Sequence, residues 1–121
     1  MVFLIDTCTL IWLGGPQAKI PLSVRTQLAH GETRVSEISR VEIAIKESKH
    51  GSFGVDLDAL IAGAGFRSVP FPVGAHRFYA TLPDHHKDPF DRMLIAHALF
   101  EGMTLVTCDA DIRKYDVSTF W

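Results

Sequence analysis

Short, continuous apolar runs alternate with helical patterns along this chain, and this alternation limits the folds it can adopt. The run at Val2–Ile5 is too short for a helix and has no polar face, which is typical of a strand buried on both sides. Residues 104–107 repeat this pattern near the other end. Further strands are predicted over 33–35, 66–71 and, as a last edge strand, 117–121, and helices over 7–13, 21–29, 36–48, 56–62, 73–82 and 88–100. Right-handed crossovers then predict an α/β fold, a three-layer doubly wound sheet of mainly parallel strands with helices on both faces.

Acidic residues follow the first and the second-last predicted strands. Asp6 comes directly after Val2–Ile5, and Asp109 lies two residues beyond 104–107. In open α/β sheets the functional crevice lies beyond the carboxyl ends of the strands, so topology alone places both acids at the functional edge. Two alternatives stay open. Asp6 is also a suitable N-cap for the helix over 7–13, and Asp111 is close enough to Asp109 to reach the same crevice.

The helix predicted over 88–100 is apolar on nearly every side and begins with two more acids. Asp88 is a good N-cap, Pro89 fits the first helical position, and Asp91 falls where a capping box places its acid. Capping therefore explains Asp88 and Asp91 without any chemistry. It does not explain why Asp6 and Glu42, far away in sequence, stand in equally apolar settings.

Glu42 lies within the apolar stripe of the helix over 36–48, which Ser36 or Ser39 is predicted to cap. Ile38, Val41 and Ile45 recur at helical spacing and define the predicted buried stripe. An ionised carboxylate on a buried face is costly, so it takes up a proton, pairs with a base or binds a cation. The alternative is that Glu42 completes a capping box with Ser39.

Composition sets the broad class of protein. With 121 residues and 47% hydrophobic content, we expect one domain over residues 1–121 with a substantial core. No apolar run reaches the length of a membrane span and the start lacks a basic leader segment, so a cytoplasmic protein is expected. The net charge of −2 argues against a nucleic-acid binder. If four of the acids form a metal site, the other residues carry a net charge of +2.

The cysteines and loop histidines give no independent metal signal. Cys8 and Cys108 match neither a disulfide framework nor a zinc spacing, which suits a reducing compartment, and we interpret them as buried apolar filler. His85 and His86 precede the helix over 88–100. No His or Cys lies at a helical spacing from them, so we interpret them as solvated loop residues rather than metal ligands.

Four motifs in order resemble the PIN-domain ribonucleases, and most closely the VapC-type toxins of toxin-antitoxin pairs. They are Leu4-Ile5-Asp6-Thr7, the segment 35–46 around Glu42, the segment 82–96 containing Asp88-Pro89-Phe90-Asp91-Arg92, and Leu105-Val106-Thr107-x-Asp109. Three positions depart from the family's usual residues without replacing an acid: Val41, His97 and Cys108. By this resemblance the family's acidic quartet maps onto Asp6, Glu42, Asp91 and Asp109, and its hydroxyl beside the first acid maps onto Thr107.

The resemblance implies an endoribonuclease that hydrolyses single-stranded or looped RNA, often transfer or ribosomal RNA, with a small antitoxin as partner and a homodimer as assembly. Converging carboxylates favour a hard divalent cation, Mg²⁺ or Mn²⁺. We expect Asp6 and Asp91 as direct ligands, Asp109 as a shared or second-site ligand, and Glu42 holding a water, with Asp88 in support. Basic residues close in sequence to the acids are candidates for RNA binding: Lys46, Lys87 and Arg92.

Other classes of protein fit the sequence less well. A receiver-type switch needs its phosphoacceptor after the third strand, where this chain has Pro70-Phe71-Pro72. A haloacid-dehalogenase-type phosphatase needs Asp-x-Asp where this chain has Asp6-Thr7-Cys8. The serious alternative is a catalytically inactive module that keeps the fold and binds a partner protein. The apolar segments 71–79 and 117–121 are candidates for interface surface or for core.

Overall fold

The computed structural model describes all 121 residues and contains one five-stranded sheet. The strands are β1 (Val2–Ile5), β2 (Glu32–Ser36), β3 (Arg67–Val69), β4 (Thr104–Val106) and β5 (Thr119–Phe120). Their spatial order is β3-β2-β1-β4-β5, and every neighbouring pair is parallel. In the register, Leu4 of β1 lies between Arg34 of β2 and Leu105 of β4. The predicted doubly wound fold is confirmed.

Six helices and two short 3-10 turns connect the strands. The helices are α1 (Thr7–Leu13), α2 (Leu22–His30), α3 (Glu37–His50), α4 (Leu57–Gly63), α5 (His76–Thr81) and α6 (Pro89–Glu101). The turns span Gln17–Lys19 and Ile112–Lys114. Several predicted elements are shorter than expected. For example, β3 ends before Pro70, which has no N–H for the ladder, and α5 begins three residues late. None of the helices is both long enough and apolar enough to cross a membrane.

The core lies on both faces of the sheet, as three layers require. Phe3 and Ile5 of β1 point to one face and pack with residues of α1 and α2, including Leu10 and Leu28. The alternate residue of β1, Leu4, points to the other face. There it packs with apolar residues of α6 and β4: Leu94, Ile95, Ala98 and Leu105. Five consecutive residues of α6 are buried, 94 to 98, which confirms that this helix is enclosed on most sides.

The strand order reverses between β1 and β4, and this reversal positions the functional edge. The chain proceeds from β1 outward to β2 and β3, then returns through α5 and α6 to place β4 on the other side of β1. The two crossovers therefore diverge beyond the carboxyl ends of β1 and β4 and leave a crevice there. Asp6 continues the pairing at this point, since its N–H donates to the Val106 carbonyl at 3.1 Å.

The predicted buried stripe of α3 is wrong at Val41 and Ile45, whereas Ile38 is half-buried and packs against the core. Val41 and Ile45 are 41% and 38% exposed, whereas the buried residues of the helix are Ser39, Glu42 and Ile43. The buried face is partly polar, because the Thr7 hydroxyl of α1 donates to the Ser39 hydroxyl at 2.9 Å. The apolar periodicity therefore predicted burial of a face next to the one that is buried. Its prediction that Glu42 is buried is correct.

The capping-box interpretation of Glu42 is also wrong. Ser36 is the N-cap of α3 and accepts a hydrogen bond from the Ile38 N–H, so Glu42 lies well inside the helix. The last edge strand is confirmed as β5, and the chain end packs inward. Phe120 and Trp121 lie against the core, with the Trp121 ring 6.0 Å from that of Trp12. The use of this tail as an interface stays a prediction.

Candidate metal centre

Five acidic residues line one cavity of about 230 Å³ at the crevice, and they include the four of the predicted quartet. Asp6 follows β1, Glu42 lies in α3, Asp91 is in the first turn of α6, and Asp109 follows β4. The other lining residues are Thr7, Cys8, Ile11, Lys46, Asp88 and Cys108. The fold therefore brings together all four residues of the predicted quartet.

Asp6 is both a helix cap and a member of this cluster. Its side chain is buried, and its Oδ1 accepts a hydrogen bond from the Thr9 N–H at 2.8 Å as the N-cap of α1. Burial raises the pKa of Asp6, while hydrogen bonds from Thr107 and Thr9 oppose that shift and the charge of Asp109 adds to it. The two sequence-based alternatives for Asp6 are thus not exclusive, because the cap fixes the carboxylate at the cavity wall.

Asp91 does not close a capping box. Asp88 is the N-cap of α6 and accepts from the N–H groups of Phe90 and Asp91 at 2.8 and 3.4 Å. The reciprocal bond is missing, because the Asp88 N–H donates to His86 and the Asp91 carboxylate lies 3.1 Å from the His86 ring. Burial, followed by the charges of Asp88 and Glu42, raises the pKa of Asp91 to about 7. Asp91 is therefore in an electrostatically unfavourable place for an ionised acid.

Glu42 has one paired and one unpaired oxygen. Its Oε2 lies 2.8 Å from Nζ of Lys46, whose pKa is raised by this contact. Its Oε1 is buried and has no hydrogen-bond partner within the protein. A buried carboxylate oxygen without a donor costs free energy, so this atom is suited to a hydrogen-bond donor or a hydrated cation in the cavity.

Asp109 and Asp111 differ clearly in their surroundings. The Asp109 Oδ2 faces the cluster, 3.3 Å from His86, and its Oδ1 accepts from the N–H groups of Asp111 and Ile112. The Asp109 N–H donates to the Thr107 hydroxyl, and the same hydroxyl forms a hydrogen bond with Asp6. Asp111 is exposed, pairs with Lys114 at 2.9 Å and does not line the cavity. The geometry favours Asp109 as the fourth acid.

His86 was missed as a site residue. Its side chain is 14% exposed, and its Nε2 lies close to carboxylate oxygens of both Asp91 and Asp109, so the solvated-loop interpretation is wrong for it. That interpretation suits its neighbour His85, which is exposed. A search for helical ligand pairs does not detect a histidine that reaches one partner five residues ahead and another far along the chain. The only sequence signal was its fixed place before Asp88 in the third motif.

The basic candidates separate into two groups. Lys46 and Lys87 line a groove of about 450 Å³ beside the acidic cavity, together with Lys49 and His50. Arg92 lies elsewhere. Its guanidinium donates to the Pro83 carbonyl at 2.9 Å and to the Tyr115 hydroxyl at 3.0 Å, and it stacks over the Tyr79 ring.

Both cysteines are exposed at the cavity, so the prediction that they are buried filler is wrong. Partial desolvation, with a further contribution from Asp6, raises the pKa of the Cys8 thiol to about 11. The pKa of the Cys108 thiol is raised for the same two reasons. Both thiols therefore stay protonated near neutral pH in the metal-free protein, which disfavours a nucleophilic role.

The fold and the acidic centre agree with what the sequence comparison shows. The chain matches the model of the PIN domain family over residues 3–118, and it belongs to that family. Members of this family are generally nucleases and usually use a divalent metal. No curated protein matches the sequence.

Solved structures with a similar fold include toxin-antitoxin complexes. VapBC2 from Rickettsia felis, bound to a DNA fragment from its promoter, has a TM-score of 0.74 at 14% identity, covering 99% of this chain and 98% of that chain. DNA-bound VapBC from Salmonella typhimurium has a TM-score of 0.70 at 17% identity, covering 99% and 97%. A toxin-antitoxin complex from Klebsiella pneumoniae has a TM-score of 0.58 at 21% identity, covering 88% and 85%.

Proposed function

We propose that this chain is a metal-dependent endoribonuclease and the VapC-type toxin of a toxin-antitoxin pair. The observation that carries the proposal is the convergence of Asp6, Glu42, Asp91 and Asp109 in one cavity at the reversal point of the sheet. Membership of the PIN family supports nuclease activity. The similar toxin-antitoxin structures support the narrower assignment to a toxin.

The residues present fit a hard divalent cation, Mg²⁺ or Mn²⁺. The cluster offers carboxylate oxygens, which such cations prefer, and it contains a buried Glu42 oxygen without a partner. Burial raises the pKa of Asp6 and of Asp91, and the charges of neighbouring acids add to this shift, so a cation in the cavity would offset a real cost. In the proposed centre Asp6, Asp91 and Asp109 hold the cation. When bound, it supplies Lewis acidity, lowering the pKa of water and offsetting charge on the phosphodiester.

The chain's own residues orient the reacting groups. Thr107 and the Thr9 N–H fix the Asp6 carboxylate, and Asp88 fixes the start of α6 and so the position of Asp91. The unpaired Oε1 of Glu42 is the acceptor best placed to hold a proton of the attacking water. These groups lie within a helix or directly beside the end of a helix or strand, as precise positioning requires.

RNA is the proposed substrate. The groove that contains Lys46, Lys49 and Lys87 shares Glu42 and Asp88 with the acidic cavity, so phosphates bound there continue directly into the site. Phe90, which also lines this groove, offers an aromatic face for an unstacked base. Both features suit a single-stranded or looped segment, and family resemblance points to transfer or ribosomal RNA.

Mapping of RNA ends tests this proposal. Incubation of the purified chain with total transfer and ribosomal RNA in Mg²⁺ should produce a small set of new ends, which sequencing would place in loops or single-stranded segments. An absence of new ends in both Mg²⁺ and Mn²⁺, from protein shown to be folded by circular dichroism, would contradict the proposal. It would instead favour a catalytically inactive PIN-like module that binds a protein partner.

The proposed assembly is a homodimer inhibited by a cognate antitoxin. The exposed apolar residues Val73, Phe78 and Phe100 provide surface for such contacts. We expect sedimentation equilibrium at micromolar concentration to give the mass of a dimer. A strictly monomeric species under those conditions would count against the dimer, with no consequence for the metal centre.

A further inference from the structure

The loop between α5 and α6 places the imidazole of His86 directly on the acidic cluster. Its Nε2 lies 3.1 Å from Oδ2 of Asp91 and 3.3 Å from Oδ2 of Asp109. The ligand atoms of these three residues all lie within 4.8 Å of one another, a spacing that also suits a metal ion. Distances alone therefore leave two roles for His86, a metal ligand or a hydrogen-bond donor to the acids.

The other ring nitrogen decides between these two roles. The Asp88 N–H donates to Nδ1 of His86 at 3.0 Å, so Nδ1 is an acceptor and carries no hydrogen. In the neutral ring the hydrogen then lies on Nε2, where it forms a hydrogen bond to Asp109 and lies beside the Asp91 carboxylate. Ligation through Nε2 would require the hydrogen on Nδ1, facing the Asp88 N–H. The observed contacts thus assign His86 as a hydrogen-bond donor to Asp109 that also lies in close contact with the Asp91 carboxylate.

The backbone of His86 is also held in place. The hydroxyl of Tyr115, a buried residue, accepts from the N–H groups of His85 and His86 at 3.2 and 2.9 Å. Arg92 donates to the same hydroxyl and to the Pro83 carbonyl, which secures the loop from α6. These contacts explain why Arg92 turns away from the basic groove. They also show that the position of His86 is built by several independent interactions.

We propose that His86 is a positioning residue whose Nε2–H holds the carboxylates of Asp91 and Asp109 together and is displaced from them by the cation. The proposal rests on the metal centre described under the proposed function. A polar N–H that bonds to one acid and lies beside the other partly offsets their repulsion in the metal-free protein. Because the donor and a cation need the same oxygens, His86 lowers the affinity for the cation and restricts the site to ions that bind strongly enough to displace it.

The Mn²⁺ affinity of the purified chain can be measured from the electron paramagnetic resonance signal of free Mn²⁺. Loss of His86 should raise this affinity if His86 is a hydrogen-bond donor to the acids, and lower it if His86 is a metal ligand. His86→Ala should bind Mn²⁺ about tenfold more tightly, the factor expected on losing a hydrogen bond to a charged group. His86→Gln, which retains a side-chain N–H, should stay near the unmodified affinity. The matched control is His85→Ala, since His85 lies in the same loop against Tyr115 and does not contact the acids. The Mn²⁺ affinity of His85→Ala should equal that of the unmodified chain.

Weaker Mn²⁺ binding by His86→Ala, with binding by the unmodified chain intact, would make His86 a ligand and overturn this inference alone. No Mn²⁺ binding by the unmodified chain would overturn the metal centre together with the inference. A second measurement needs no variant that might fail to fold. In chelator, long-range ¹H–¹⁵N spectra should show His86 as the Nε2–H tautomer, and an Nδ1–H tautomer would refute the proposal.

Discussion

Replacement of Asp91 or Asp6 by Asn should reduce RNA cleavage at least about a hundredfold, which corresponds to roughly 2.7 kcal/mol in activation free energy. The reason is loss of charge at a position that keeps its shape and hydrogen-bonding capacity. Asn caps a helix about as well as Asp, so α1 should remain intact in Asp6→Asn. Initial cleavage rates of an end-labelled RNA in Mg²⁺, with far-ultraviolet circular dichroism as the folding check, provide the measurement.

Asp111→Asn is the matched control for these variants. Asp111 is an acid two residues from Asp109, yet it is exposed and paired with Lys114 outside the cavity. Its replacement should leave the cleavage rate within about twofold, whereas Asp109→Asn should lower the rate strongly. A larger loss in Asp111→Asn than in Asp109→Asn would show that the fourth acid has been assigned to the wrong residue.

Asp6→Asn and Asp91→Asn, which should lower activity, should raise the stability of the metal-free protein. Two ionised carboxylates about 5 Å apart repel by roughly 3 kcal/mol at an effective dielectric near 20, before screening and relaxation. Asp91 is partly exposed and its carboxylate lies 3.1 Å from the polar Nε2 of His86, which reduces the net cost. We therefore expect Asp91→Asn to stabilise the metal-free protein by about 1 kcal/mol at pH 8, or a few degrees in melting temperature.

This stabilisation should depend on pH in a defined direction. The pKa of Asp91 is raised to about 7 in the folded protein, above its value near 3.8 in the unfolded chain. Uptake of a proton by Asp91 therefore favours folding fully below about pH 4, and this contribution is lost as the pH rises through 7. Melting temperatures in chelator should show the full gain from Asp91→Asn at pH 8 and little gain at pH 4. In saturating Mg²⁺ the difference in melting temperature between Asp91→Asn and the unmodified chain should shrink or change sign. The reason is that only the unmodified site gains the full binding free energy.

Destabilisation of both Asp6→Asn and Asp91→Asn in chelator, with no effect of Mg²⁺ on the unmodified melting temperature, would contradict a charged metal centre. The acids would then serve only the local structure of α1 and α6. Asp116→Asn, a change at an exposed acid, controls for the general effect of removing one negative charge.

The fold was predictable because its determinants are local in sequence. A four-residue apolar run such as Val2–Ile5 has few structural solutions, and Gly or Pro residues mark most helix ends. Asp6 was also predictable as an edge residue, because its position follows from strand direction alone. Asp88 was correctly predicted as the cap of α6, since its role depends only on the next three residues.

The parts that sequence did not predict depend on contacts between distant segments. The buried face of α3 includes Ser39 because Thr7, on another helix, supplies its hydrogen-bond partner. His86 belongs to the site because Tyr115, 29 residues away, holds its backbone, and Asp109, 23 residues away, receives its Nε2–H. The exposure of Cys8 and Cys108 likewise follows from an open cavity beyond the carboxyl ends of β1 and β4, which no single stretch of sequence encodes.

Dependence of cleavage on a removable cation tests most directly whether the four carboxylates act as a metal centre. One preparation of the unmodified chain would be assayed on the same labelled RNA in Mg²⁺, after excess chelator, and after Mg²⁺ is restored. We expect cleavage to stop in chelator and to return with Mg²⁺, while Asp91→Asn stays inactive throughout. Cleavage that continues in excess chelator, at the same sites and at an undiminished rate, would contradict the proposed metal centre.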